Sequence, residues 1–167
     1  RTPSSAASDV YKRQGSGIAP INEMLTSGVN VGLGVDGSAS NDSGSLISEA
    51  RQAMLLQRVS NGADAMSAMD ALELATRGGA DILGRPECGR IQIGARGDLA
   101  IWDISGIDSA GSWDPAALLL AGPKKVKHLV VEGRIIVCDG NIVTVKMSEV
   151  LSAVSYTHLR AHETSSN

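Results

Sequence analysis

The stretch Val29-Asn-Val-Gly-Leu-Gly-Val-Asp36-Gly-Ser-Ala-Ser-Asn-Asp42 decides how the chain is interpreted. Its first half is apolar and rich in valine, which predicts a buried strand over residues 29–35. The strand pattern ends abruptly at Asp36, and the small polar residues that follow predict a loop. In a barrel of alternating strands and helices, a carboxylate at the C-terminal tip of a strand lies where the chemistry takes place. Asp36 is therefore the first candidate functional residue.

Helical patterns flank this predicted strand on both sides. Pro20 opens a short helix that Gly28 ends, so a helix, one glycine and the strand form half of an α/β unit. After the loop, Ser45 is placed to cap a second helix. In that helix Glu49 falls in the first turns, where an acid favours the helix dipole, and Arg51 is expected on the solvent side.

Further along the chain the pattern changes from helical to strand-like. Ser67-Ala-Met-Asp70 is a capping box that predicts a third helix, and Gly78-Gly79 is expected to interrupt it. From Gly89 onwards apolar residues alternate with polar ones, and Glu132-Gly133 and Asp139-Gly140 are hairpin turn signals. The predicted strands are, in order, Ile91–Ile93, Asp98–Asp103, Val126–Val131, Arg134–Val137 and Ile142–Val145.

The two ends of the chain indicate a different origin from the middle. Asp9–Gln14 can be encoded by a DNA stretch whose reverse complement, read one base out of phase, encodes Ala153–Leu159. Inverted copies of one DNA segment flank the inserts of transposon-type sequencing libraries, but a natural protein has no reason to carry them. We therefore interpret residues 1–14 and 154–167 as translated sequencing adapter and exclude them from the fold, as one excludes fusion segments.

The composition of residues 15–153 argues against several functional classes. They hold 11 basic and 16 acidic side chains, a net charge of −5, so nucleic-acid binding is not expected. No apolar run approaches the roughly 20 residues of a membrane span, and nothing resembles a signal peptide. Cys88 and Cys138 lack metal-ligand spacing, which indicates two ordinary thiols and favours a cytoplasmic location.

The histidines offer little to a metal site. His158 and His162 are spaced like a helical metal pair but lie in the excluded C-terminal end. His128 is the remaining histidine, and an isolated histidine within a strand pattern is expected to be structural.

Three segments, taken in order, resemble one known family. They are Gly32-Leu-Gly-Val-Asp36-Gly, Gly89-Arg-Ile-Gln-Ile-Gly-Ala-Arg-Gly-Asp-Leu-Ala-Ile-Trp-Asp103 and Lys127-His-Leu-Val-Val-Glu-Gly-Arg-Ile-Ile-Val137. Together they resemble the C-terminal part of an amidohydrolase-superfamily enzyme, across residues 15–153. The Asp36–Asp42 loop and Trp113-Asp-Pro-Ala-Ala-Leu118 are most similar to the branch of 8-oxoguanine deaminases and hydroxytriazine aminohydrolases, the cytosine-deaminase-like group.

The resemblance implies an α/β fold and a division of the chain. Residues 15–86 would be the end of a metal-dependent (β/α)8 barrel, with its last strand and helices. Residues 87–146 would belong to a small β-sandwich domain that the family builds from both chain ends, and residues 147–153 would start a C-terminal helix. The family binds one divalent metal, zinc or iron, through a His-x-His pair, two further histidines and an aspartate on the eighth strand.

Asp36 matches that eighth-strand aspartate, so the resemblance implies that it is both metal ligand and catalytic base for the attacking water. No His-x-His pair occurs in residues 15–153, so the histidine ligands would lie outside this chain. We therefore expect an incomplete and inactive fragment of a metal-dependent hydrolytic deaminase. Its expected substrate is an amino-substituted purine resembling 8-oxoguanine, or a related nitrogen heterocycle.

Two other identities for the chain are open at this point. Within the family, the chain could instead come from a triazine aminohydrolase or another ring hydrolase. From another class, it could be a non-catalytic α/β interaction module. The expected partner is a small heterocyclic substrate, without nucleic acid or membrane, and the full-length protein is expected to be a homo-oligomer.

Overall fold

The computed structural model describes residues 17–37, 41, 43–122 and 124–154. These residues fall into two compact units. The helical unit contains the residues up to Arg96 together with Ile104–Lys124, and the sheet unit contains Gly97–Asp103 together with the residues from Lys125. No helix among the described residues is long and apolar enough to cross a membrane. The domain boundaries expected from the sequence stay predictions.

Two helices of the helical unit are capped by side chains, one of them at Ser45 as the sequence predicts. The Ser45 side chain accepts a hydrogen bond from the Ser48 amide, and the Asp114 side chain accepts one from the Ala116 amide ahead of Pro115. Both are side chains that satisfy orphan amides at a helix start. The helices are α1 Ile21–Thr26, α2 Leu46–Asn61, α3 Ala68–Glu73, a π-helical turn Leu74–Gly78, α4 Gly79–Ile82, a 3-10 turn Ile107–Ser109 and α5 Pro115–Leu120.

Residues 29–35 are not hydrogen-bonded as a strand, so that part of the sequence prediction was wrong. Its exposure alternates only in part: Val31 is buried and Asn30 and Gly34 are exposed, but Gly32 between them is buried as well. A strand also needs a neighbouring strand to bond, and in the described part of the chain no strand pairs with these residues. Val31 and Gly32 contact the helices, whereas the end of the segment from Gly34 is less buried and leads to the exposed Asp36.

The predicted interruption at Gly78-Gly79 was also wrong. Both glycines have helical dihedral angles, and the chain passes through a π-helical turn into α4 without a break. A Cβ atom added to Gly78 would lie 2.2 Å from the Val31 carbonyl oxygen, and one added to Gly32 would lie 2.8 Å from the Gly79 backbone. The glycines let this helical turn approach the extended segment more closely than side chains would permit.

Arg51 joins two helices of the helical unit, whose core mixes alanines with larger aliphatic side chains. Arg51, which the sequence places towards solvent, instead donates hydrogen bonds of 2.7 and 2.8 Å to the carbonyls of Leu120 and Ala121. Those carbonyls close α5, where helix geometry leaves acceptors without partners, so the guanidinium fastens α5 to α2. The buried cluster comprises Ile21, Val31, Ala50, Ala53, Met54, Met66, Ala68, Ala71, Leu74, Ala116 and Leu120.

The capping box of α3 makes stability depend on pH. The Ser67 amide and hydroxyl both donate to the Asp70 carboxylate, at 2.8 and 2.7 Å, which holds the Asp70 pKa below its usual 3.8. Because the folded pKa is the lower one, this stabilisation is present above pH 3.8 and is lost as pH falls through the folded pKa.

We expect the Asp70→Asn variant to unfold with a weaker dependence on pH at the acid end than the parent chain. Thermal unfolding between pH 2 and pH 6 measures this, and Asp64→Asn, which removes the same charge nearby, serves as the control. Ser67→Ala removes the cap itself and should cost about 0.5–2 kcal/mol. If the parent and Asp70→Asn keep a constant stability difference across this range, the capping box is not the origin of the pH effect.

The sheet unit is an antiparallel meander, as the sequence predicts. Its strands are β1 Leu99–Trp102, β2 Val126–Val131, β3 Arg134–Cys138 and β4 Asn141–Ile142, in that order across the sheet. Glu132 and Gly133 join β2 to β3 at φ 51° and 75°, and Asp139 and Gly140 join β3 to β4 at φ 47° and 76°. Positive φ at both central residues matches the type I′ turns that these dipeptides favour.

The predicted strand at Ile91–Ile93 was wrong, and β4 is shorter than predicted. Residues 87–97 form turns and bends, and the side chains of Ile91 and Ile93 are almost fully exposed. A strand forms only beside a partner, and without one the alternating isoleucines have neither ladder hydrogen bonds nor a buried face. Among the residues that the structure describes, none pairs with this segment.

Candidate functional site

Asp36 is an exposed carboxylate at the end of the extended segment. Its Oδ1 atom accepts a hydrogen bond of 2.7 Å from the Gly37 amide. The structure therefore leaves this carboxylate accessible.

The backbone at Asp36 is in the left-handed region, with φ 60°. For a residue other than glycine this conformation costs about 1–2 kcal/mol, although aspartate and asparagine tolerate it best. Such residues persist only where the surrounding structure holds them, and they cluster at functional sites. Glu132 and Asp139 adopt the same left-handed conformation in the hairpin turns of the sheet unit, so the φ of Asp36 describes its backbone and assigns no role by itself.

A buried amide holds the backbone on both sides of Asp36. The Asn41 side-chain nitrogen donates to the Val35 carbonyl at 2.7 Å and to Glu49 Oε1 at 2.9 Å, and the Asn41 backbone amide donates to the Gly37 carbonyl at 3.0 Å. Asn41 and Glu49 are 3% and 1% exposed. The sequence assigned Glu49 to the helix dipole and gave Asn41 no individual role, so both positions were missed. The sequence signal that could have identified them is an amide, Asn41, followed eight residues later by an acid, Glu49, that it can bind across the loop.

Part of the loop that carries the family resemblance, namely Ser38, Ser40 and Asp42, lies outside the described residues. A groove of about 220 Å³ lies near the opposite end of the extended segment, where Val29 and Val31 line it together with Arg77, and it does not include Asp36. Among residues 17–37, 41, 43–122 and 124–154, no group of three acidic, histidine or cysteine side chains could hold a metal. A carboxylate suits a hard divalent metal, so Asp36 fits such an ion as a single ligand.

His128 and the cysteines behave as ordinary structural residues. The His128 ring accepts a bond from the Asp139 amide at 3.4 Å and pairs with the Asp139 carboxylate at 3.5 Å, which ties β2 to the β3–β4 turn. Cys88 and Cys138 are free and partly buried. Neither observation adds a ligand to Asp36.

Comparison with known proteins decides the family. Residues 7–136 match the sequence model of the Amidohydrolase family. The chain belongs to the amidohydrolase family. The resemblance inferred from the sequence and the α/β fold class are thus confirmed. The match begins at residue 7, inside the segment interpreted as adapter, so that boundary stays a prediction.

Curated members of the family cover most of this chain. The 8-oxoguanine deaminase of Pseudomonas aeruginosa is 44% identical over 131 residues, which are 78% of this chain and 29% of that protein. The 5-methylthioadenosine/S-adenosylhomocysteine deaminase of Desulforudis audaxviator is 35% identical over 152 residues, 89% of this chain and 35% of that protein. The chain thus spans about a third of the length of these amidohydrolases.

Solved amidohydrolase structures share the fold and include zinc-bound members. An atrazine chlorohydrolase from Arthrobacter aurescens complexed with zinc matches with a TM-score of 0.84 at 35% identity, over 89% of this chain and 34% of that one. An adenosine deaminase from Xanthomonas campestris with bound zinc matches with a TM-score of 0.88 at 25% identity, over 94% of this chain and 37% of that one. A divalent metal, zinc in these examples, therefore belongs to the family.

Proposed function

We propose that this chain supplies the metal-binding and proton-accepting carboxylate, Asp36, of a metal-dependent hydrolytic deaminase. The proposed substrate is an amino-substituted purine resembling 8-oxoguanine, or a related nitrogen heterocycle. The observation that carries the proposal is the exposed, strained Asp36 in a chain 44% identical to an 8-oxoguanine deaminase over 131 residues. Exposure leaves the carboxylate free to meet a ligand, and the left-handed backbone is one that aspartate tolerates better than most residues.

The chemistry assigned to Asp36 is a proton relay in an amine hydrolysis. A divalent metal, when bound, lowers the pKa of the attacking water towards neutrality. The Asp36 carboxylate accepts the proton of that water as the water oxygen forms a bond to the ring carbon. The protonated Asp36 then gives the proton to the amino nitrogen, the carbon–nitrogen bond breaks and ammonia leaves. A carboxylate within hydrogen-bond reach is suited to both transfers.

The charge and position of Asp36 support this assignment. One oxygen is oriented by the Gly37 amide at 2.7 Å, which leaves the second oxygen as the atom for metal or water. Glycines on both sides of Val35-Asp36 keep bulky side chains away from the carboxylate. The remaining ligands are proposed to come from a part of the enzyme that this chain does not contain.

A hybrid enzyme tests the proposal. The segment of this chain that matches the Pseudomonas aeruginosa 8-oxoguanine deaminase would replace its counterpart in that enzyme, and ammonia release would be measured with 8-oxoguanine and with an amino-triazine. We expect zinc binding and deamination of 8-oxoguanine. The measurement with the amino-triazine tests the alternative of a triazine aminohydrolase, which the similarity to an atrazine chlorohydrolase structure favours. A hybrid that folds and binds zinc but releases ammonia from neither compound would overturn the proposal and favour a non-catalytic module.

The 167-residue chain by itself should be inactive. A single carboxylate provides too few ligands for tight zinc binding, because catalytic zinc sites use three protein ligands. We expect no release of ammonia from 8-oxoguanine above background, and zinc binding by calorimetry that is weak and nonspecific. Turnover by the purified chain that disappears in Asp36→Asn would contradict this expectation.

A further inference from the structure

We propose that Asn41, anchored by Glu49, is the positioning residue for Asp36. This inference rests on the proposed function, because it concerns how the same carboxylate is aimed. Asn41 makes no contact with the Asp36 carboxylate in the structure; it acts through the backbone on either side. Its contacts are distinct from capping, since the helix that follows is capped by Ser45.

The Asn41 side chain takes part in four hydrogen bonds, the weakest of which its Oδ1 accepts from the Ser43 hydroxyl at 3.3 Å. The two hydrogens of Nδ2 go to the Val35 carbonyl at 2.7 Å and to Glu49 Oε1 at 2.9 Å, and Oδ1 accepts from the Ser43 amide at 2.9 Å. Only an amide with its nitrogen towards the two acceptors satisfies all three partners. An aspartate of the same shape would put an oxygen against the Val35 carbonyl and the Glu49 carboxylate.

These contacts fix the three consecutive peptide groups around Asp36. The Val35 carbonyl precedes Asp36 and binds the Asn41 side chain, and the Gly37 carbonyl follows it and binds the Asn41 backbone amide at 3.0 Å. The peptide between them is held by the Gly37 amide, which donates to Asp36 itself. A backbone held on both sides can maintain a φ of 60° that it would otherwise leave.

Glu49 connects this loop to a rigid element. It lies in the first turn of α2 and is 1% exposed, beside the buried Ala50 and Ala53 of the same helix. A carboxylate is buried only where hydrogen bonds compensate it, and the Asn41 amide provides one of them. The direction of Asp36 is therefore set by the position of α2 rather than by the loop alone.

Gln57 provides a matched control for a purely structural role. It is also a buried amide on α2, 1% exposed, and its Nε2 donates to the Ala19 carbonyl at 2.8 Å. Its partner lies far along the sequence from Asp36. Asn41→Ala and Gln57→Ala each remove a buried amide that bonds a backbone carbonyl, so both should lower stability, but only the first should alter Asp36.

The first experiment uses the full 167-residue chain and nuclear magnetic resonance. The coupling between the amide and α hydrogens of Asp36, with residual dipolar couplings, reports its φ, and hydrogen exchange reports the Gly37 and Asn41 amides. We expect Asn41→Ala to move Asp36 out of the left-handed region and to speed exchange at Gly37. Gln57→Ala should leave both at parent values. Equal effects, or no effect, of the two variants would overturn the inference.

The second experiment places the same variants in the hybrid enzyme. We expect Asn41→Ala to lower zinc affinity and kcat by about tenfold to a hundredfold with KM nearly unchanged, as for residues that orient a metal ligand. Glu49→Gln keeps an acceptor for the Asn41 amide and should recover most of the rate lost in Glu49→Leu. If Asn41→Ala matches Gln57→Ala in kcat and zinc affinity, the inference is wrong.

Asp36→Asn separates the two proposals. If it abolishes turnover and Asn41→Ala does not change kcat, the proposed function stands and the positioning role fails. If Asp36→Asn leaves turnover intact, the proposed function fails. The resonance experiment then still decides whether Asn41 holds the conformation of Asp36.

Discussion

Replacing Asp36 with asparagine in the hybrid enzyme should lower kcat by about a hundredfold to ten-thousandfold, the usual contribution of a positioned general base. Asparagine keeps the shape of the side chain and an oxygen that can accept from the Gly37 amide at the Oδ1 position. It also tolerates the left-handed φ of 60° as well as aspartate does. The change therefore removes charge and proton affinity without disturbing the backbone. Steady-state ammonia release measures the loss of kcat, and the zinc content of the purified variant measures the loss of metal binding.

Asp139 is the matched control for this substitution. It is also an exposed aspartate with a positive φ, 47°, but it lies in the hairpin turn of the sheet unit. Asp139→Asn should leave kcat and zinc content at the level of the parent hybrid. If Asp36→Asn and Asp139→Asn have equal activity, the loss of one exposed carboxylate is without consequence and Asp36 neither binds metal nor moves a proton.

Local chemistry made some elements predictable from sequence. The hairpin dipeptides Glu132-Gly133 and Asp139-Gly140, and the capping box from Ser67 to Asp70, each depend on residues within four positions of one another. Their geometry is set by φ preferences and by hydrogen bonds to adjacent amides. Such rules need no knowledge of the rest of the chain, so the structure follows them.

Elements that depend on distant partners were not predictable in the same way. Ile91–Ile93 and residues 29–35 both have apolar alternation, yet neither is paired in the described residues. Alternation shows only that a segment suits a half-buried strand, whereas both pairing and burial depend on a second segment that the pattern does not identify. The prediction that Asp36 lies at the end of this segment does not depend on strand pairing, because it rests only on where the apolar pattern stops.

The support of Asp36 was hidden from sequence for a related reason. Glu49 at the start of a helix has a sufficient local explanation in the helix dipole, and Asn41 in a polar loop has one as a turn residue. Their burial at 1% and 3% results from how the loop folds back on α2. Only the folded chain brings the amide onto both peptide groups that flank the carboxylate.

Replacing Gly78 with alanine should destabilise the chain by about 1–3 kcal/mol, the range for overpacking a close contact. The added Cβ would lie 2.2 Å from the Val31 carbonyl oxygen, a backbone atom that cannot rotate away as a side chain can. Relief requires the π-helical turn or the extended segment to shift, and that segment leads directly to Asp36. Urea unfolding of the full chain, followed by circular dichroism, measures the change.

Gly79 makes this prediction a test of the contact rather than of glycine in general. It has the same helical φ, −62° against −59° for Gly78, but a Cβ added there meets nothing within 4 Å. Alanine is the better helix former by about 0.5–1 kcal/mol, so Gly79→Ala should stabilise the chain. Adjacent substitutions with opposite signs are expected because one glycine is required by packing and the other is not. If both variants are stabilised, the close approach of Gly78 to Val31 does not hold the extended segment in place.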